Sequence, residues 1–223
     1  SGKVYSQRPE NGDGDFTFTR ASTATRVNEN GLIETVSSNR PRLDYSDSSC
    51  PSLLLEPQRS NSIPYSEDFS QWNAYLSTLV TNNAALSPDG ENNATLIDRN
   101  GQPYARVDKF SLGLSSNDYC YSVFAKKGVA NWVLLRCDGS TGGFFQTYFD
   151  LENEVVGNTL NTTNNTIEDY GNGWYRCSIF GTTDVNTARI YPSDSDNGVG
   201  NTNDASVYAW GAMLEVGDYP TSY

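Results

Sequence analysis

The ribbon Val207–Val216, VYAWGAMLEV, constrains the fold more than any other stretch of the chain. Read at period two, Tyr208, Trp210, Ala212, Leu214 and Val216 share one face. Val207, Ala209, Gly211 and Met213 take the other, where Glu215 is the single charge. A run this apolar on both faces, with no Pro and no helical stripe, predicts a strand buried inside a sheet sandwich. Gly217-Asp218-Tyr219-Pro220 then stops it with turn chemistry. If the last strand is central, earlier strands must flank it, so the fold closes only once the C-terminus is in place.

The totals narrow the function classes. The chain has 223 residues, 36% of them apolar, yet 12% aromatic, which suits thin sheets with aromatic cores and long polar loops. A formal charge of -12 argues against nucleic acid or an anionic membrane as partner, because phosphate binding needs clustered Lys and Arg. No histidine is present, which removes Ser-His-Asp and Cys-His catalysis and His-ligated zinc. No apolar run approaches the roughly 18 residues of a membrane span, so membrane insertion is not expected. Cys50, Cys120, Cys137 and Cys177 show no metal-binding spacing. They read as free thiols, with Cys120–Cys177 the pair to test for a bridge.

Along the chain, Ser1–Gly14 is polar and turn-rich, an arm or leader, and DFTFTR at Asp15–Arg20 alternates with Phe16 and Phe18 on one side. Asn30-Gly31 lies between two β-prone runs, a hairpin signal because both residues tolerate positive φ. The texture changes near Ser60–Tyr65, which divides the chain into a β-hairpin segment over residues 1–62 and a larger unit over residues 63–223. The first is too poor in apolar residues to carry much core alone. The second shows strand-like runs at Leu76–Asn82, Ala94–Asp98, Tyr104–Phe110, Tyr119–Lys126, Asn131–Cys137, Phe144–Leu151, Thr166–Glu168, Trp174–Phe180, Ala188–Tyr191 and Ser206–Val216. Ser87–Asn93, Gly157–Asn165 and Pro192–Ala205 read as long loops, and no helix is predicted. The expected class is all-β, an N-terminal β-hairpin segment followed by an antiparallel jelly-roll sandwich.

Several phrases together resemble one family. DFTFTRASTATRVNENGLIETV, RPRLDYSDSSCPSLLLEPQRSN and YSEDFSQW are similar to the leading region of tail, fibre and other virion surface proteins of bacteriophages. YSVFAKKG, GNGWYRC and VYAWGAMLEVGDYPTSY resemble their jelly-roll module, which is itself similar to carbohydrate-binding modules of polysaccharide-degrading enzymes. The resemblance implies a non-enzymatic virion protein that attaches to a host-surface glycan. It also implies a homo-trimer and other virion proteins as partners. The alternatives are a carbohydrate-binding module of a secreted enzyme, which meets a soluble polysaccharide, and a purely structural fibre or capsid protein. Related carbohydrate modules hold a structural calcium between an early acidic position and the last strand. Glu67 or Asp68 matches the first, but Ala209-Trp210 stands where the last strand should supply a carboxylate.

Glycan binding on a sandwich needs an aromatic platform with a few orienting polar groups. Trp174 shares a predicted face with Arg176 and Ser178, opposite Tyr175, Cys177 and Ile179; the plainer reading is that Trp174 covers a sheet edge. Trp132 shares a face with Leu134 and Arg136. Phe145, Thr147, Phe149 and Leu151 read as the core side of their strand, leaving Phe144, Gln146 and Tyr148 outward as a platform or a subunit contact. Trp72 and Tyr75 read as packing residues. Asp194, Asp196 and Asp204 make Pro192–Ala205 a candidate calcium cradle or simply a solvated loop. No cofactor is otherwise expected. No carboxylate stands among aromatics on a strand as glycosidase chemistry needs, so catalysis is not expected.

Overall fold

A computed structural model describes residues 2–4 and 16–223. The expected N-terminal arm therefore falls, apart from Gly2–Val4, outside the described residues, as does the side chain of Phe16. The chain divides into two compact units, one running to Gln58 and taking in Thr221–Tyr223, the other Arg59–Pro220.

The described part of the smaller unit is built from hairpins. Strand β1 (Gly2–Val4) pairs with β2 (Phe16–Phe18), β3 (Ala24–Val27) with β4 (Ile33–Val36), and β5 (Leu43–Asp44) with β6 (Ser52–Leu53). Asn28 N–H donates to Leu32 O at 2.8 Å to close the β3–β4 loop, and Gly31 takes φ +75° there. Polar groups are buried within this unit. Arg42 is buried and donates from Nη1 to Glu56 Oε2 at 2.7 Å and to Ser222 Oγ at 2.7 Å.

The larger unit is an antiparallel jelly-roll sandwich of two six-stranded sheets. Its strands are β7 (Asn73–Tyr75), β8 (Leu79–Ala85), β9 (Ala94–Asp98), β10 (Arg106–Lys109), β11 (Leu114–Lys127) and β12 (Trp132–Asp138). They continue with β13 (Phe144–Asp150), β14 (Val155–Leu160), β15 (Thr166–Asp169), β16 (Trp174–Val185), β17 (Thr187–Ser193) and β18 (Ser206–Val216). The first sheet has the order β14-β13-β12-β17-β10-β7 and the second β15-β16-β11-β18-β9-β8. Val133, Leu135, Phe145, Phe149 and Ile190 from the first meet Tyr121, Val123, Cys177, Ile179 and Leu214 from the second. Burying them supplies the main driving force for folding, at about 25 cal/mol per Å² of apolar surface.

The terminal ribbon is central, as its composition demands, with β11 on one side and β9 on the other. Its two faces are not the ones that strict alternation predicts. Trp210 pairs with Phe124 and Met213 with Ser122, so Gly211 and Ala212 together stand opposite Val123. This is a β-bulge, and Gly211 takes φ +61° in it, which glycine does without Cβ strain. The extra residue reverses the parity. Val207, Ala209, Ala212 and Leu214 face the core, while Trp210 packs against Phe124 outside it, with ring centroids 5.4 Å apart. β9 reaches only as far as Ala209. Beyond it, Ser62 N–H donates to Leu214 O and Ala212 N–H to Ser66 O, so the backbone of the ribbon stays paired.

Two loop expectations are corrected. Val155–Leu160 is a strand, the edge of the first sheet, where its Gly and Asn suggested a loop. Gly198–Gly200 forms a 3-10 turn within Pro192–Ala205, and Phe69–Gln71 forms another, capped by the Asp68 carboxylate accepting from Ser70 N–H. The four cysteines are free thiols, as the sequence favours. Cys177 faces the core, whereas Cys120 pairs with Glu215 and Phe180 on the opposite face of the same sheet. Side chains on opposite faces cannot be bridged without moving backbone.

Candidate functional site

The outward face of the first sheet collects the polar and aromatic residues that the core does not take. On β12, Val133, Leu135 and Cys137 go inward, so Trp132, Leu134, Arg136 and Asp138 go outward. Register then decides their neighbours. Leu134 lies between Tyr148 on β13 and Tyr191 on β17, and Arg136 lies between Gln146 and Arg189. Asp138 pairs with Phe144, and Arg189 with Asp108 on β10. Trp132, Arg136, Phe144 and Tyr148 thus sit on one face.

Arg136 is the most constrained group there. Its guanidinium carbon lies 4.1 Å from the centroid of the Phe144 ring. Nε donates to Asp138 Oδ1 and Oδ2 at 2.9 Å each, and Nη1 to Gln146 Oε1 at 2.8 Å. Burial disfavours the charged guanidinium, but the Asp138 carboxylate outweighs it and raises its pKa. Asp138 also pairs with Arg189 Nη1 at 3.3 Å, and Arg189 Nε lies 3.4 Å from Asp108 Oδ1. Arg106 Nε closes the chain of ions by donating to Asp108 Oδ1 at 2.7 Å, and stacks 3.9 Å from the exposed ring of Tyr75. Burial pushes the Asp108 carboxyl up in spite of these two cations, because it is only 1% exposed.

Trp132 is half-buried beside this row. A Cβ on Gly157 would come within 2.4 Å of its ring, so glycine in β14 makes room for the indole. Tyr148 points outward, as alternation predicts, but is 3% exposed, and burial pushes its phenol up to about 12. With Leu134 and Tyr191 it forms a small apolar cluster against which Trp132 and Val199 pack. It is a support beneath the platform, which corrects its expected role as an open ring.

The Trp174 and Arg176 expectation is corrected by burial. Trp174 is 2% exposed and its Nε1–H donates to Leu86 O at 3.0 Å; Arg176 is 3% exposed and donates to Ser122 Oγ at 3.1 Å. They lie on the second sheet, among Phe124 and Met213, where no polymer reaches. The calcium cradle does not assemble either. Asp194 accepts from Asn201 and Asn203 and faces Arg99 at 4.0 Å, while Asp196 accepts Asn158 N–H at 2.9 Å and Asp204 is exposed apart from them. Among the described residues no three carboxylate, Cys or His groups converge on a metal-sized space, and Asp68 is instead engaged by Ser70 and Asn82. Trp72 packs on Phe69 with centroids 5.0 Å apart.

Asp138, Arg189, Asp108 and Arg106 belong to the site and escape the sequence reading. Period two in ARIYP does place Arg189 and Tyr191 on one side. Nothing local says that this strand inserts between β10 and β12.

No family model matches the chain, and no curated protein does. Among solved structures it is similar to the CBM22-1–GH10 modules of Clostridium thermocellum endo-1,4-β-D-xylanase 10B complexed with xylohexaose, at 14% identity and a TM-score of 0.43. The match covers 74% of this chain and 29% of that one. At that distance it adds nothing to the reading of the site. Nothing in these comparisons supports the virion reading, its trimer or its virion partners. Among the described residues, no helix is long and apolar enough to cross a membrane.

Proposed function

We propose that the protein is a non-catalytic polysaccharide-binding module that uses the outward face of its first sheet. The observation that carries this is Arg136, held over Phe144 by Asp138 and Gln146 on the same sheet face as the half-buried Trp132. An aromatic face meets sugar C–H groups, and side chains fixed on a rigid sheet orient the hydroxyls without an ordering cost at the moment of binding. Asp108 and Asp138, the carboxylates beside Arg136 and Arg189 on the face, are engaged by arginines, an arrangement that suits holding a polymer rather than transferring protons to it. Such a module serves a secreted polysaccharide-degrading enzyme by keeping it on its polymer.

Affinity electrophoresis through gels containing soluble polysaccharides tests the reading. The wild-type chain is expected to be retarded by at least one polymer, and Trp132→Ala or Phe144→Ala to migrate as if the polymer were absent. Retardation unchanged in both variants would place the binding surface elsewhere.

A further inference from the structure

Resting on that reading of the face, we infer that the polymer it prefers carries carboxylates: a polyuronate or another acidic polysaccharide. The register sets Arg136 directly beside Arg189 across β12 and β17, and like charges so placed repel. Asp138, which bridges both, holds them there. The fold does not need this pairing, because the neighbouring row fills the equivalent positions with Leu134 and Tyr191.

Depth matters more than count. Side-chain exposure is 25% for Arg136, 20% for Arg189 and 13% for Arg106, but 18% for Asp138 and 0% for Asp108. In each pair the arginine is the more exposed partner, by a wide margin over Asp108 and narrowly over Asp138, so guanidinium edges reach the surface of this face in a chain whose formal charge is -12. Two further carboxylates stand at the Trp132 end of the face: Asp150 is the register partner of Trp132, and Asp196 accepts Asn158 N–H from β14. Trp132 is four residues, or about 13 Å, along β12 from Arg136. Guanidinium is planar and matches a carboxylate with paired N–H groups, which a neutral sugar hydroxyl cannot answer as well.

The test compares polygalacturonate and alginate with the same polymers after methyl esterification, which caps the carboxylates and leaves the backbone. Neutral xylan and mixed-linkage β-glucan complete the set. Binding is measured at about 0.15 M salt, where the Debye length of ~8 Å screens the overall charge of the chain. At least one polyuronate is expected to bind about tenfold or more tighter than its ester, equivalent to roughly 1.4 kcal/mol. Arg189→Gln is expected to erase that difference and to lower the thermal midpoint, because Asp108 loses one of its two cations. The comparison of acid with ester in the wild-type chain stands even if the variant fails to fold. Equal binding of acid and ester, or tighter binding of the neutral glycans, overturns the acid preference and leaves polysaccharide binding intact. Retention by none of these polymers overturns both.

Discussion

The guanidinium of Arg136 lies 4.1 Å from the ring centroid of Phe144, diagonally across on the adjacent strand, two residues from its register partner Gln146. The contact couples two side chains central to the proposed binding face. A double-mutant cycle with Arg136→Ala and Phe144→Ala should return a coupling of about 0.5–1 kcal/mol in stability, the range for a cation–π pair at a partly exposed site. In polysaccharide binding each single variant should lose nearly as much as the double, because either change releases the other group.

Trp174 separates structure from binding. Its indole is buried and its N–H is satisfied by Leu86 O. Trp174→Ala should therefore cost about 3–5 kcal/mol, as large-to-small core changes do. Whatever remains folded should bind polysaccharide like the parent. Urea denaturation together with affinity electrophoresis reads both quantities from one preparation.

The fold was legible where composition and alternation act locally. VYAWGAMLEV has to be an interior strand, and Phe145, Phe149 and Leu151 have to face inward, because no other arrangement hides them. What could not be read is where one residue changes the parity or where distant strands meet. Gly211 looks like any small residue in a strand until its φ of +61° shows the bulge, and with it Trp210 moves to the other side. Trp174 beside Arg176 and Trp132 beside Arg136 are alike as sequence. Only burial separates them: Trp174 and Arg176 are 2% and 3% exposed, whereas Trp132 and Arg136 are half-buried. Arg189 and Asp108 reach the site through the pairing of β17 with β10 and β12, which no spacing encodes.

The bulge gives a backbone prediction. Gly211→Ala forces a side chain into the left-handed region, at about 1–2 kcal/mol. For a chain of this size that lowers the thermal midpoint by roughly 2–4 °C per kcal/mol. A midpoint equal to the parent's would mean that the ribbon alternates without interruption.

Arg99 is buried, with Asp194 at 4.0 Å and no hydrogen-bond partner for Nε or Nη2 among the described residues. Asp194→Ala leaves this cation without its counter-charge and should cost about 3 kcal/mol or more. Arg99→Met, which removes the charge and keeps the bulk, should be neutral or stabilising by about 1–4 kcal/mol. Chemical denaturation of the two variants checks the order.

Asp184 gives the pH dependence. It accepts from Ser140 N–H and Oγ–H and from Thr141 Oγ1–H, which hold its carboxyl well below the usual 3.8. A carboxyl depressed in the folded state contributes stability that is complete above its unfolded value and is lost as pH falls through the folded one. The urea midpoint should thus decline as pH drops below 3.8, and Asp184→Asn should flatten part of that decline. Asp68 and Asp194, also lowered, supply the remainder.

The most direct measurement uses the chain's own indoles. Trp72, Trp132, Trp174 and Trp210 should give four indole N–H resonances, and of the four only Trp132 lies on the proposed face. On titration with oligosaccharides cut from the polymer that retards the chain, the Trp132 resonance should move while the other three hold their positions. Movement confined to Trp174 or Trp210, or no movement at any indole, would contradict the assignment of the binding surface.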